Sequence, residues 1–230
     1  MKIVKESDLY PVVEKWLTKA HLCFKTAKNK GLEYTRIDVI GVTDVGGELS
    51  GKVETIAVEV KRGNQPFAKA SGQALGYKVY ANRIYLADIR DDEFSPNEIQ
   101  IASHLGIGLI QIQDLKCKEV LSSPYYEPIE KLNLMLLENL ALGKCQLCGC
   151  FVEIGDIEKN KFSKLSRENF AKAFNVDEND RKGLMFWNRQ VAERKNKIGL
   201  TETKDGRTRE RRFICRDCTY YVLSQFRLED

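Results

Sequence analysis

The 230-residue sequence contains no apolar run near the ~18 residues that a membrane-spanning helix needs. Its opening MKIVKESDLY holds no apolar block of the secretory kind, so a cytoplasmic location with no membrane partner is expected. Internal repeats and low-complexity tracts are lacking too. The phosphate-binding signature G-x-x-x-x-G-K-[ST] is absent, so any nucleotide-driven motor would be a separate protein. Histidine is scarce; His21 and His104 read as helix-face residues rather than ligands. Cysteine is present in an odd number, seven, and four of these form C-x-x-C pairs, which argues for metal thiolates in a reducing compartment over disulfides.

What is there is globular: hydrophobic residues make up 43% and charged ones 30%, enough for a proper core in one domain plus an appendage. Residues 1–140 carry 18 Lys/Arg against 19 Asp/Glu and residues 141–230 carry 19 against 14, so the net charge of +4 is C-terminal in origin. It concentrates between Arg181 and Arg216, where twelve basic residues face four acidic ones. Such a segment is either a polyanion contact or a solvated charged insertion.

Leu9, Val12, Val13, Trp16 and Leu17 recur at helical spacing and predict an amphipathic helix from Ser7 to about Leu22, with Pro11 tolerated in its first turn. Residues 36–42 and 55–61 are β-rich and flank a turn at 43–52, which predicts two paired strands. Pro66 suits the first position of a helix to about Ala81, followed by a strand at 83–88. Ser95, Pro96 and Glu98 form a capping box that opens a helix closed by Gly106, with a strand at 107–112 and a weaker helix at 128–142 beyond. The order α, two or three β, α, β, α, β predicts a mixed sheet flanked by helices. Residues 1–125 form this first domain, 126–143 a helical linker and 144–230 a cysteine-bounded domain.

Asp38 interrupts an otherwise apolar strand, where a buried carboxylate is costly unless paired or bound to metal. In the next strand Glu59 and Lys61 fall on one face by the period of two. An antiparallel turn would bring Asp38 toward Glu59, giving two carboxylates and an ammonium around one point. Such hard oxygen ligands suit Mg²⁺ or Mn²⁺, leaving Lys61 to act on a water or a phosphate. On the following helix Lys69, Gln73, Tyr77 and Tyr80 share one face, and Gly72 and Gly76 would let that helix come close to the sheet.

Asp38, the Glu59-Val60-Lys61 triplet and Gln73-Ala-Leu-Gly-Tyr77 resemble the PD-(D/E)XK nuclease superfamily, in which D on one strand and E-x-K on the next bind metal. The Q-x-x-x-Y motif looks like that of the RecB-like branch, and the N-terminal acidic helix is similar to Holliday-junction resolvase and Mrr-like members. The resemblance covers roughly residues 1–115. The proline of the family name is absent, Ile37 standing before Asp38. The resemblance implies a restriction-endonuclease-like fold and a Mg²⁺-dependent deoxyribonuclease. Asp38, Glu59 and the Val60 carbonyl would hold the metal, Lys61 would direct the attacking water, and Gln73 and Tyr77 would steady the backbone or the metal-bound water. The metal shell would be completed by a helix glutamate, Glu6 in preference to Glu14. DNA is the implied partner, in restriction, phage defence or repair, with a homodimer or a defence-system protein as further partners. A non-catalytic DNA-binding adaptor of the same fold and an RNA substrate are the alternatives.

Cys145-Gln-Leu-Cys148-Gly149 has the form of a zinc knuckle, and Cys215-Arg-Asp-Cys218 supplies a second pair, so four thiolates would close a structural Zn²⁺ site. Knuckle, strand, second pair and helix resemble a treble clef or zinc ribbon of α+β type. Cys150 is an alternative ligand to Cys148, and Cys23 and Cys117 read as core residues. In the long insertion between the pairs, Phe186 and Trp187 lie among Arg181, Lys182, Arg189, Arg194, Lys195 and Lys197. Aromatic rings among cations suit nucleic-acid binding, as Arg62 and Lys69 would in the first domain, and equally suit a small core with a solvated rim. Metal analysis of the purified chain is expected to find bound zinc; a zinc-free, folded tail removes the four-thiolate reading.

Overall fold

The computed structural model describes residues 5–32, 35–46, 52–63, 65–145 and 148–153. The chain divides into two compact units, Met1–Leu140 and Ala141–Asp230. In the first, the elements run α1 (Tyr10–Ala20), β1 (Lys25–Leu32), β2 (Thr35–Asp44), β3 (Val53–Lys61), α2 (Phe67–Gly76), β4 (Arg83–Ile89), α3 (Pro96–Leu105), β5 (Gly108–Gln113), β6 (Lys116–Leu121) and α4 (Glu130–Asn139). The six strands form one sheet in sequence order. The β3–β4 and β4–β5 pairs are parallel and the others antiparallel, so this is the mixed, helix-flanked sheet that the element order implies. No helix among the described residues is long and apolar enough to cross a membrane.

The period of two divides β3 between the faces of the sheet. Val58 and Val60 join Val39, Tyr85, Ala87, Ile110 and Ile112 in a core closed by Leu9, Tyr10, Val13 and Leu17 from α1 and its approach. Ala57, Glu59 and Lys61 point the other way, to the face that α2 and the turn Tyr77–Val79 cover with Ala70, Ala74 and Tyr77. Ser95 opens α3 by accepting the Glu98 N–H while Glu98 takes the Ser95 N–H, and Gly106 ends it at φ 71°. Pro66 stands at the cap of α2 rather than inside its first turn.

Two strands, β1 and β6, fall outside the expected set. Both are edge strands, and the sequences KTAKNKGL and KCKEVL carry too little apolar alternation to be legible as strands. What holds β1 is its long antiparallel pairing with β2, from Lys25↔Val42 to Leu32↔Thr35. The helix at the expected linker is α4, which is bound into the first unit: Asn133 Nδ2 donates to Thr55 Oγ1 at 2.8 Å and to the Tyr80 carbonyl at 2.7 Å.

The close approach expected of Gly72 and Gly76 does not occur. Both are exposed, and a Cβ built on either would meet no atom within 4 Å, because the small residues facing the sheet are Ala70, Ser71 and Ala74. Gly108 is the contrary case: a Cβ there would stand 2.3 Å from the Tyr85 ring and 2.8 Å from the Ser123 backbone nitrogen. Urea unfolding should therefore show Gly72→Ala stabilising the unit by about 0.5–1 kcal/mol, through removal of helix glycine entropy. Gly108→Ala should destabilise it by about 1–3 kcal/mol through overpacking.

Candidate functional site

The β2–β3 ladder ends at the pair Val39↔Val58. One residue beyond it, Asp38 substitutes side chain for backbone: its Oδ2 accepts the Val60 N–H at 2.9 Å. A strand N–H points in the plane of the sheet, so the carboxylate fills the gap where β2 leaves β3. Asp38 Oδ1 accepts the Tyr10 hydroxyl at 2.7 Å. The sequence logic of an acid in an apolar strand is thus met by local chemistry, since both oxygens have donors.

On the neighbouring strand Glu59 and Lys61 are each more than nine-tenths buried, and the Lys61 ammonium donates to Glu59 Oε1. The Tyr77 hydroxyl donates toward Glu59 Oε2 and lies 2.9 Å from the Arg36 carbonyl. Burial pushes the Glu59 carboxyl above its ordinary range and the charge of Asp38 adds to this, while Lys61 and Tyr77 pull it back. A phenol has one proton to give, so Tyr77 donates at any moment to either the Glu59 carboxylate or the Arg36 carbonyl. Burial, followed by the charge of Glu59, likewise raises the Tyr77 phenol far above its usual value, so it stays a neutral donor.

The turn Glu6–Asp8 ahead of α1 sets Glu6 4.0 Å from the Lys61 ammonium, whereas Glu14 faces Lys28 at 3.8 Å. Glu6, Asp38, Glu59, Lys61 and Tyr77 therefore meet at one end of the sheet. Tyr10 joins them although nothing in its sequence setting marked it; it falls inside the helix expected from Ser7, which in the structure begins at Tyr10, and only the fold brings it across 28 positions to Asp38. Gln73 and Lys69 share an exposed face of α2, and among the described residues no hydrogen bond ties Gln73 to the cluster. The expected stripe is thus split, with Tyr77 and Tyr80 buried. Val60 is tied to the cluster by its N–H, and in an extended strand its carbonyl points to the same side as that N–H. An open polar cleft of about 640 Å³ runs beside Arg36, lined also by Lys30, Asn29, Thr35 and Asn139.

Among the described residues no three His, Cys, Asp or Glu side chains stand together as a metal cage. A small divalent cation needs less: Mg²⁺ is commonly held by one or two carboxylates with water filling the remaining positions. Asp38 and Glu59 supply that donor set, and each of their oxygens keeps a lone pair beyond the hydrogen bond it accepts. The residues fit a hard cation.

No family model and no curated protein matches the chain. A solved structure of a protein of unknown function from Silicibacter pomeroyi is similar over 61% of this chain and 86% of its own, at 16% identity and a TM-score of 0.44.

In the second unit, β7 (Leu142–Lys144) and β8 (Phe151–Glu153) pair antiparallel, and the first cysteine pair occupies their connection. The Cys145 N–H donates to the Cys150 carbonyl at 2.8 Å, the Gly149 N–H to the Cys145 carbonyl at 3.0 Å, and Gly149 sits at φ 76°, a conformation glycine takes without strain. Cys215, Cys218, Phe186, Trp187 and the basic residues Arg181, Lys182, Arg189, Arg194, Lys195 and Lys197 lie outside the described residues. Cys23 is buried and Cys117 partly so, and burial pushes both thiols up to about 12, as inert core thiols. His104 is exposed on α3, whereas His21 is not on a helix face: it caps the end of α1, edge-on to Trp16 and Tyr85 at 4.7 and 5.6 Å.

Removing Lys61 leaves a buried carboxylate beside another. Lys61→Met should cost about 3–5 kcal/mol at neutral pH, the range for breaking one side of a buried pair. The folded Glu59 value then lies further above the unfolded one of about 4.3. Stability tied to such a group is whole below the unfolded value and is lost as pH rises through the folded one. Urea unfolding should therefore show the deficit shrinking on acidification; an equal deficit at pH 4 and pH 7 would contradict this electrostatic account.

Proposed function

We propose that the chain is a divalent-metal-dependent deoxyribonuclease whose chemistry lies at Asp38, Glu59 and Lys61. The observation that carries the reading is the convergence of these three side chains where β2 parts from β3, with Glu6 and Tyr77 around them. A buried carboxylate with a buried lysine, beside a second, half-buried carboxylate, is costly to a fold and contributes little to stability, so chemistry is the better reason for its presence.

Asp38 and Glu59 would hold Mg²⁺ or Mn²⁺, which when bound neutralises charge on a phosphodiester and on the water that attacks it. The residues of the chain do the rest. Lys61, fixed by Glu59, directs a water oxygen in line with phosphorus, so that a new P–O bond forms as the bond to the leaving sugar oxygen breaks. Tyr77 holds Glu59 from the opposite side and stays neutral while doing so. Exposed Lys30 and Arg36 in the adjoining cleft and Lys69 on α2 are suited to the flanking phosphates. A knuckle at Cys145 and Cys148, completed by Cys215 and Cys218, would hold structural zinc in the second unit.

The test is incubation of supercoiled, linear and single-stranded DNA, with an RNA arm, in Mg²⁺ or Mn²⁺. Wild type is expected to cleave DNA. Lys61→Ala and Asp38→Ala, prepared identically, should lose at least about 100-fold, as expected when a charge-stabilising group of the transition state is removed. DNA binding that is equal in chelator and in metal, with no cleavage by any of the three proteins, would favour a recognition module of the same fold; cleavage of RNA alone would move the substrate class.

A further inference from the structure

We propose that Tyr10 is a positioning residue for Asp38, holding its carboxylate in the orientation from which it takes a divalent cation; this deepens, and rests on, the metal-dependent reading above. Asp38 is held from two directions by two different elements. The Val60 N–H of β3 fixes Oδ2 at 2.9 Å, and the Tyr10 hydroxyl at the start of α1 fixes Oδ1 at 2.7 Å. Two such bonds stop rotation of the carboxylate plane, so the lone pairs left over point in one set of directions.

The placing of the Tyr10 hydroxyl does not depend on the bond it makes. The ring is 5% exposed and packs in the core with Leu9, Val13, Val58 and Val60. Pro11 follows it and fixes the backbone of the first helical turn. The core needs the ring alone, for which phenylalanine would serve; the hydroxyl is directed to Asp38. Donors of this kind, one layer behind a ligand, orient ligating groups, and their loss typically weakens metal binding about 10–100-fold. The same segment carries Glu6 to Lys61, so the approach to α1 touches both Asp38 and Lys61.

Tyr10→Phe keeps the ring and removes the proton. Calorimetric titration of Mn²⁺ into the full chain without nucleic acid should show affinity falling about tenfold or more. The Mn²⁺ concentration for half-maximal cleavage should rise by the same factor, with kcat at saturating metal unchanged. Tyr85→Phe is the matched control, since it removes a buried phenol donor to Glu119, 2.9 Å away in another part of the sheet. It should lower Tm to a similar extent and leave Mn²⁺ affinity at the wild-type value. In an Asp38→Ala background, adding Tyr10→Phe should cost no further affinity, because the tyrosine acts only through the aspartate. Wild-type Mn²⁺ affinity in Tyr10→Phe, or an undiminished effect without Asp38, overturns the inference and leaves the nuclease reading standing. A wild-type chain that binds no Mn²⁺ overturns both.

Discussion

The bond from the Val60 N–H to the Asp38 carboxylate organises this end of the molecule. A backbone donor in the middle of a sheet has to be answered, and the ladder that answers it elsewhere stops at Val39↔Val58. By taking over from the ladder, Asp38 lets β2 turn away while β3 runs on to Lys61. The opening so created is where Glu59, Lys61 and Tyr77 gather on one side and Tyr10 and Glu6 reach in from the approach to α1. With an apolar residue at position 38, Val60 would be left unanswered or β2 would continue its pairing and close the gap.

The same opening explains how the side chains of the cluster hold one another. Glu59 is buried next to another negative charge, and its neighbours divide the cost: the ammonium of Lys61 offsets charge, and Tyr77 supplies a donor that cannot ionise. Each contact satisfies an oxygen without consuming all of its lone pairs. The chain's own side chains thus hold the arrangement that the proposed chemistry needs.

Much of the fold was legible because its central elements obey strong local rules. The valines of β3 alternate, Ser95 and Glu98 cap α3, and Gly106 ends it. Reading was weakest at the edges, where β1 and β6 are strands by virtue of their partners and not of their own residues. At the site, Asp38, Glu59 and Lys61 were visible as charges misplaced in apolar strands, a signal of period and cost. Tyr10 was invisible for the opposite reason: in the first turns of an amphipathic helix it breaks no rule, and its hydroxyl acquires meaning only across 28 residues. Gly72 and Gly76 misled because a four-residue glycine spacing marks a bare stripe on a helix without saying which way it faces.

One feature of the periphery bears on how the molecule behaves in company. An uncovered sheet edge is a template on which another chain's strand can add, the first step toward fibrils and sticky aggregates. On β1 that template is spoiled: Lys28 and Lys30 are exposed along it, and Asn29 between them breaks the extended conformation with φ 51°. A visiting strand would have to strip water from two ammonium groups and match an irregular ladder. The lysine-rich strand that weakens the sequence signal is, for the folded protein at high concentration, a guard against self-adhesion along that strand.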